Sequence, residues 1–216
     1  DGIGRMYGND EDVYYYLTLY NEAYAQPAKP DGADAGIVEG LYRFAPAPEG
    51  HELSATVLFS GPAHTAAREA QTELAEHFGV GVDLWSATSY KRLREDALEA
   101  DRWNRLHPAE EPRVPRVTQL LADGSGPVVA VTDYMRSVPD QIAPYAGRTF
   151  SSLGTEGYGR SDTREALRSF FEVDMAQVVV AVLAGLAHDG LIDDAVVQKA
   201  IERYDIDVDI APPWQR

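Results

Sequence analysis

Ala55-Thr56-Val57-Leu58-Phe59-Ser60 runs through Gly61-Pro62 into His64–Phe78, and Gly79-Val80-Gly81 then leads into Val82–Thr88. This stretch decides the fold. The first run is short, apolar and free of breakers, so it reads as a strand. In the second, Ala67, Ala70, Leu74 and Phe78 recur at the three-to-four-residue spacing of one helix face. Glycines close that helix, and Val82–Thr88 is again a strand. A strand, a helix and a strand in this order favour parallel pairing, because parallel neighbours need a crossover of about a dozen residues or more.

Working outward, the alternation continues. The pattern predicts a polar helix from Tyr90 to Trp103, irregular chain through Pro108, Pro112 and Pro115, a short helix at Val117–Leu121 and a strand at Pro127–Thr132. Val138–Tyr145 is expected to be a helical turn and Thr149–Leu153 a strand. Helices follow at Asp162–Phe171, Asp174–His188 and Asp193–Tyr204, the last capped by Asp193 or Asp194. Such alternation implies a mostly parallel sheet covered by helices on both faces, with Val128-Val129-Ala130-Val131 suited to its centre.

On the N-terminal side the texture changes. Residues 1–11 read as the end of a helix and a turn, and Val13–Tyr20 is aromatic and β-branched without a breaker, so it reads as a strand. From Asn21 to Gly50 the chain is rich in Pro, Gly, Ala and Asp, which marks a connector holding one candidate short strand at Leu41–Phe44. A connector of that length is long for one compact domain. The organisation read from the chain is therefore 1–20 as the end of a preceding unit, 21–50 as connector and 51–216 as the main domain. A start at Asp1, with the first methionine at Met6 inside a Gly-rich turn, reads as a piece of something longer.

Composition narrows the function classes. The 216 residues include 19 Lys plus Arg against 35 Asp plus Glu, a formal charge of −16, and no cysteine. Without cysteine there is no disulfide framework, zinc finger, iron–sulfur cluster or thiol nucleophile in these residues. A chain this acidic repels phosphate backbones and anionic lipid, so nucleic acid and membrane surfaces are not expected partners. The longest apolar run, Val178–Ala187, is too short to span a bilayer. A reducing, cytoplasmic setting is the expectation.

In an open parallel sheet, ligands gather beyond the carboxyl ends of the strands. Those positions are Ser60-Gly61, Ser86–Ser89, Asp133-Tyr134 and the loop Gly154–Asp162. That loop ends Gly159-Arg160-Ser161, close to the phosphate-cradling G-x4-G-K-[ST] pattern, with arginine in place of lysine. Arginine's planar fork is not equivalent to a compact ammonium. The competing expectation is a stiff turn in which Asp162 caps the next helix and Arg160 pairs with a local carboxylate. Ser60, His64 and Asp133 could be imagined as a hydrolase triad, but no G-x-S-x-G elbow is present. The five histidines are scattered, with no H-x3-H pair for a metal. Glu110-Glu111 reads as solvated surface.

Composition and periodicity stop at an α/β domain without a catalytic site. Several segments together, however, resemble one family: Val13-Tyr14-Tyr15-Tyr16 with Asn21-Glu22, Gly79-Val80-Gly81-Val82-Asp83, Arg102–Pro108, Thr132-Asp133-Tyr134-Met135, and Leu153–Arg164 continuing to Phe171-Glu172-Val173-Asp174. They are similar, in this order, to the homodimeric, thiamine-diphosphate-dependent type of pyruvate dehydrogenase. The resemblance implies three α/β domains in series, of which this sequence holds the last. Residues 1–20 would end the middle, pyrimidine-binding domain with a strand, 21–50 would connect, and 51–216 would form a three-layer α/β/α transketolase C-terminal-type domain.

The resemblance also implies that thiamine diphosphate and Mg2+ are held by upstream domains. The family's Gly-Asp-Gly and Asn-Asn cofactor motif does not occur here, where the asparagines are Asn9, Asn21 and Asn104. No catalytic, cofactor or metal residue is therefore assigned to this chain, which is expected to be inactive alone. The implied partners are the rest of the enzyme, a second subunit and the lipoyl acyltransferase component, toward which the acidic surface could steer a basic segment. The loops expected at the active-site entrance or an interface are those of Asp133, Tyr134, Glu156, Arg160, Ser161 and Asp162. The alternative is a stand-alone nucleotide-binding or regulatory module built on loop 154–161.

Overall fold

In the computed structural model, which describes residues 1–216, the chain opens with a π-helical turn at Gly4–Gly8 and runs irregularly to α1 (Asp34–Glu39). There follow β1 (Leu41–Ala45), β2 (Leu53–Phe59), α2 (His64–Phe78), β3 (Val80–Ala87), α3 (Tyr90–Leu106), α4 (Arg116–Leu121) and β4 (Val128–Val131). The last elements are α5 (Ser137–Asp140), β5 (Phe150–Leu153), α6 (Arg164–Phe170), α7 (Met175–His188) and α8 (Asp194–Arg203). The strands form one sheet in the order β1-β3-β2-β4-β5. β3, β2, β4 and β5 run parallel, and only the edge strand β1 is antiparallel, against β3.

Period-two alternation explains the layering, because successive strand side chains point to opposite faces. Ala55, Val57, Phe59, Val129 and Val131 enter one core with Leu74 of α2 and Val178, Val182 and Leu186 of α7. Leu58, Val128 and Ala130 enter the other, with Leu93 of α3, Val117 and Leu121 of α4, and Ile142. Both faces of β4 are thus covered, and none of its four residues reaches solvent. That is why the run from Val128 to Val131 reads as continuous rather than alternating. The expected three-layer, mostly parallel α/β architecture is the observed one.

Two differences from the sequence reading concern the N-terminal half. Leu41–Ala45, inside the stretch read as connector, is an edge strand of the main sheet, with α1 packed beside it. Val13–Tyr20, read as a strand, is irregular and pairs with no other strand. Residues 14–29 make no hydrogen bond between main-chain groups, and their ties are side-chain ties. β-propensity is a fit to a neighbouring pleated surface more than a backbone preference, and here no neighbour is beside it.

The stretch Arg164–His188 is long and apolar enough to cross a membrane by composition alone. In the fold it is two helices. Glu172 takes a left-handed φ of 59° between them, and the Asp174 side chain caps α7 by accepting from the Gln177 N–H at 3.0 Å. Val178, Val179, Val182, Leu183 and Leu186 of α7 are buried in the core, which accounts for its hydropathy.

Candidate functional site

The chain leaves β2 toward β3 on one side and leaves β4 toward β5 on the other, so β2 and β4 flank the topological switch point. Such sheets leave a crevice there, beyond the carboxyl ends of the strands. Ser60 and Thr132, the residues that follow β2 and β4, bridge it at depth through a 2.6 Å bond between their buried hydroxyls. The Tyr134 N–H then donates to Thr132 Oγ1 at 3.1 Å. The crevice above has a volume of about 450 Å3, and Ser60, Ser86, Thr88, Tyr90 and Tyr134 are among its walls.

Its roof is the unpaired N-terminal segment. The Tyr20 hydroxyl donates to Asp133 Oδ1 at 2.9 Å, and Thr18 Oγ1 lies 2.7 Å from the Tyr134 hydroxyl. Farther along, Glu22 accepts from Arg168 of α6 at 2.6 Å, Arg164 donates to Asn21, and the Tyr24 ring tilts against His64 at 4.8 Å. Gly61 makes this seat. It has φ of 53°, and a Cβ there would lie 2.7 Å from the Tyr20 oxygen.

Burial sets the titration behaviour of these groups. It pushes the Asp133 carboxyl above its ordinary range, against the Tyr20 hydrogen bond and the Arg168 charge, which pull it down. Tyr20 is raised by burial and by its bond to Asp133. His64, enclosed among Tyr24, Phe59 and α2, is pushed down chiefly by burial, against a backbone hydrogen bond at Gly61 that pulls it up. Exclusion from water disfavours the charged form in all three.

The structure brings three of the six anticipated loop residues together. Thr155 donates its N–H to the Tyr134 carbonyl at 2.9 Å and its hydroxyl to the Asp133 carbonyl at 2.6 Å, and Glu156 accepts from the Arg136 N–H at 2.8 Å. This close knitting needs Gly154, where a Cβ would fall 2.6 Å from the Tyr134 carbonyl oxygen.

Arg160, Ser161 and Asp162 point away from this cluster. Arg160 lies 4.7 Å over the Phe170 ring and bonds the main-chain oxygen of Arg216, and no Asp or Glu side chain pairs with it. Ser161 is exposed and unbonded. Asp162 is not the helix cap either: Thr163 caps α6 by accepting from the Ala166 N–H, and Asp162 accepts from the Thr163 N–H at 2.7 Å. The loop folds onto the C-terminal segment, with Gly157 against Trp214, and does not cradle an open anion site.

Nor do Ser60, His64 and Asp133 make a triad. Their partners are Thr132, Thr65 with Tyr24, and Tyr20 respectively. What sequence reading missed is the roof. Thr18 and Tyr20 sit in a segment read as a strand, and only the quoted Asn21-Glu22 pair hinted that it touches the main domain. No group of three His, Asp or Glu is placed to hold a metal ion.

Residues 40–174 match the family described as the transketolase-like TK C-terminal domain. Over 208 residues, 95% of the chain is 48% identical to the pyruvate dehydrogenase E1 component of Mycolicibacterium smegmatis. Over 215 residues it is 46% identical to the E1 component of Escherichia coli, with 99% of this chain covered. The Mycobacterium tuberculosis E1 component is 43% identical over 216 residues. The chain spans only 22%, 24% and 23% of these three relatives, respectively. The match begins at the residue before β1, so it takes in the edge strand that sequence reading had left to the connector.

Proposed function

The chain belongs to the transketolase-like C-terminal domain family, and from that premise we propose that it is the C-terminal domain of a pyruvate dehydrogenase E1 component. The observation that carries this reading is 48% identity along 95% of the chain to a protein of that name. The parent reaction is then transfer of the acetyl group of pyruvate to a lipoyl group with release of carbon dioxide. In this reading thiamine diphosphate and Mg2+ belong to the upstream domains of the parent, and no step of the reaction is assigned to this chain.

Its part is structural and bounding. The chain exposes Tyr14, Tyr16, Leu17, Leu19, Met135 and Tyr158, large apolar groups suited to being covered by the rest of the enzyme or by a second subunit. Asp133, Tyr134 and Glu156, knitted together at the strand ends, would wall the approach to the active site. The acidic surface would steer the lipoyl acyltransferase component in a cytoplasmic complex, an attraction that must weaken as salt rises.

Calorimetry and labelled pyruvate test the reading. The 216-residue chain alone should take up no thiamine diphosphate and release no carbon dioxide, while the full-length protein containing it does both. Turnover by the isolated chain would overturn the assignment of chemistry to upstream domains.

A further inference from the structure

We propose that the C-terminal segment Asp205–Arg216 is a strap that holds the strand-end loop 154–162 in place, with the Arg216 guanidinium as its catch. The inference stands on contacts within this chain and does not depend on the pyruvate dehydrogenase reading.

The loop does not hold itself. Residues 157–162 make no hydrogen bond between main-chain groups, Gly157 sits at a left-handed φ of 94°, and Tyr158 is 92% exposed. Only the two ends of the loop are fixed to the body. Glu156 accepts from the Arg136 N–H at 2.8 Å, and Thr163 caps α6. Between them Asp162 bonds only its neighbour Thr163, and Arg160 alone reaches farther, to the main-chain oxygen of Arg216. A Cβ on Gly157 would lie 3.0 Å from the Trp214 Cα, so the loop backbone rests directly on the C-terminal segment. A loop with so few ties of its own opens at low free energy once that support is lost.

The segment is itself tied down at its ends. Near α8 the Ile206 N–H donates to the Ile201 carbonyl at 3.1 Å. At the far end Pro213 is buried, and Arg216 Nη2 donates to the Phe170 carbonyl at 2.6 Å and to Glu172 at 3.1 Å. In between, the one hydrogen bond is local, from the Asp209 N–H to the Asp207 side chain. There the segment borders a cavity of about 520 Å3, with Val208 and Ile210 on one side and Glu172, Asp174 and Tyr204 among the other walls. It bridges a void and is not packed into the core.

The Phe170 ring joins the catch to the loop. The Arg160 and Arg216 guanidiniums both lie 4.7 Å from its centre, a distance at which each is attracted to the ring. The two like charges share that ring, and Glu172 is the one carboxylate paired with either of them. Arg216 Nε is buried without a partner, so the closed catch leaves one donor unsatisfied. Its opening frees residues 157–162 and leaves the sheet intact. The C-terminal segment thereby sets the conformation of the loop that continues from Glu156 of the strand-end cluster.

Limited trypsin digestion of the full chain, read bond by bond by mass spectrometry, is the test. Trypsin cuts after arginine, and the Arg160 side chain is engaged as long as the strap is closed. Arg216→Gln removes the catch and should speed cleavage after Arg160 about tenfold. The melting temperature and the cleavage rate after Arg148, beside the sheet, should stay at the parent's values. Glu172→Gln weakens the catch from the other side and should give a smaller acceleration at the same bond. Equal rates after Arg160 in the parent and both variants would overturn the proposal. So would parallel acceleration after Arg148, which would mean that the whole domain had loosened.

Discussion

Two eight-residue stretches of this molecule have opposite fates, and the one richer in strand-forming residues is the one that pairs with nothing. Val80–Ala87 is β3, paired on one side with β1 and on the other with β2, and five of its residues are buried. Val13–Tyr20 carries three consecutive tyrosines and ends as an unpaired roof, with Tyr14, Tyr16, Leu17 and Leu19 exposed. The difference lies in their neighbours. Leu84 inserts into a core shared with α2 and α7, whereas Leu19 faces solvent. β3 is therefore held by burial and a backbone ladder, and the roof by a few side-chain bonds to the strand ends.

The sharpest way to break the comparison is to truncate one apolar side chain in each stretch. Leu84→Ala, at a fully buried site, should lower unfolding stability by about 2–5 kcal/mol. Leu19→Ala should change it by less than about 0.5 kcal/mol. Urea titrations of the two variants measure both. Equal losses would mean that the roof is packed as firmly as the sheet.

Next in size is Gly61→Ala. It places a Cβ against the Tyr20 ring at a left-handed φ, and the backbone term alone should destabilise by about 1–2 kcal/mol. Proteolysis within residues 13–24 should speed up, while hydrogen exchange in β2 and β4 stays unchanged.

Tyr20→Phe is milder. It removes the hydroxyl from Asp133 and should weaken the roof by about 1 kcal/mol, read as faster proteolysis within residues 13–24. Protection equal to the parent's would show that the hydrogen bond does not hold the segment.

The smallest effect is set by pH. Burial lowers the folded pKa of His64, so the unfolded chain binds the proton more readily. The stability from neutral His64 is complete above its ordinary value near 6.5 and is lost as pH falls through the lowered folded value. His64→Phe should flatten that slope in a melting series between about pH 7 and 5. An unchanged slope would place the linkage on another group.

The contrast also explains what was legible in the sequence. Helix α2 was read at His64–Phe78 and is observed there, because Ala67, Ala70 and Leu74 all face one core and the period is unbroken. β4 was legible because both of its faces are buried. The roof was not. Tyr14, Tyr15 and Tyr16 have strand character, and nothing local in a sequence states whether a pairing partner lies alongside. The edge strand β1 was half legible, since its residues look like a strand but stand among prolines and glycines.

At the site, the contacts of Asp133, Tyr134 and Glu156 follow from the ends of β4 and β5. Those of Arg160 were not legible, because they come from Phe170 and the C-terminal segment, distant in sequence.

As proposed above, this chain ends a pyruvate dehydrogenase E1 component and supplies surface rather than chemistry. The most direct measurement is acetyl transfer from pyruvate to a lipoyl acceptor by a chimera, in which residues 40–216 replace the corresponding part of the Mycolicibacterium smegmatis E1 component. The account predicts an assembled, pyruvate-dependent enzyme, with no activity in the 216-residue chain assayed beside it. A chimera that folds and assembles yet transfers no acetyl group, or an isolated chain that does, would contradict it.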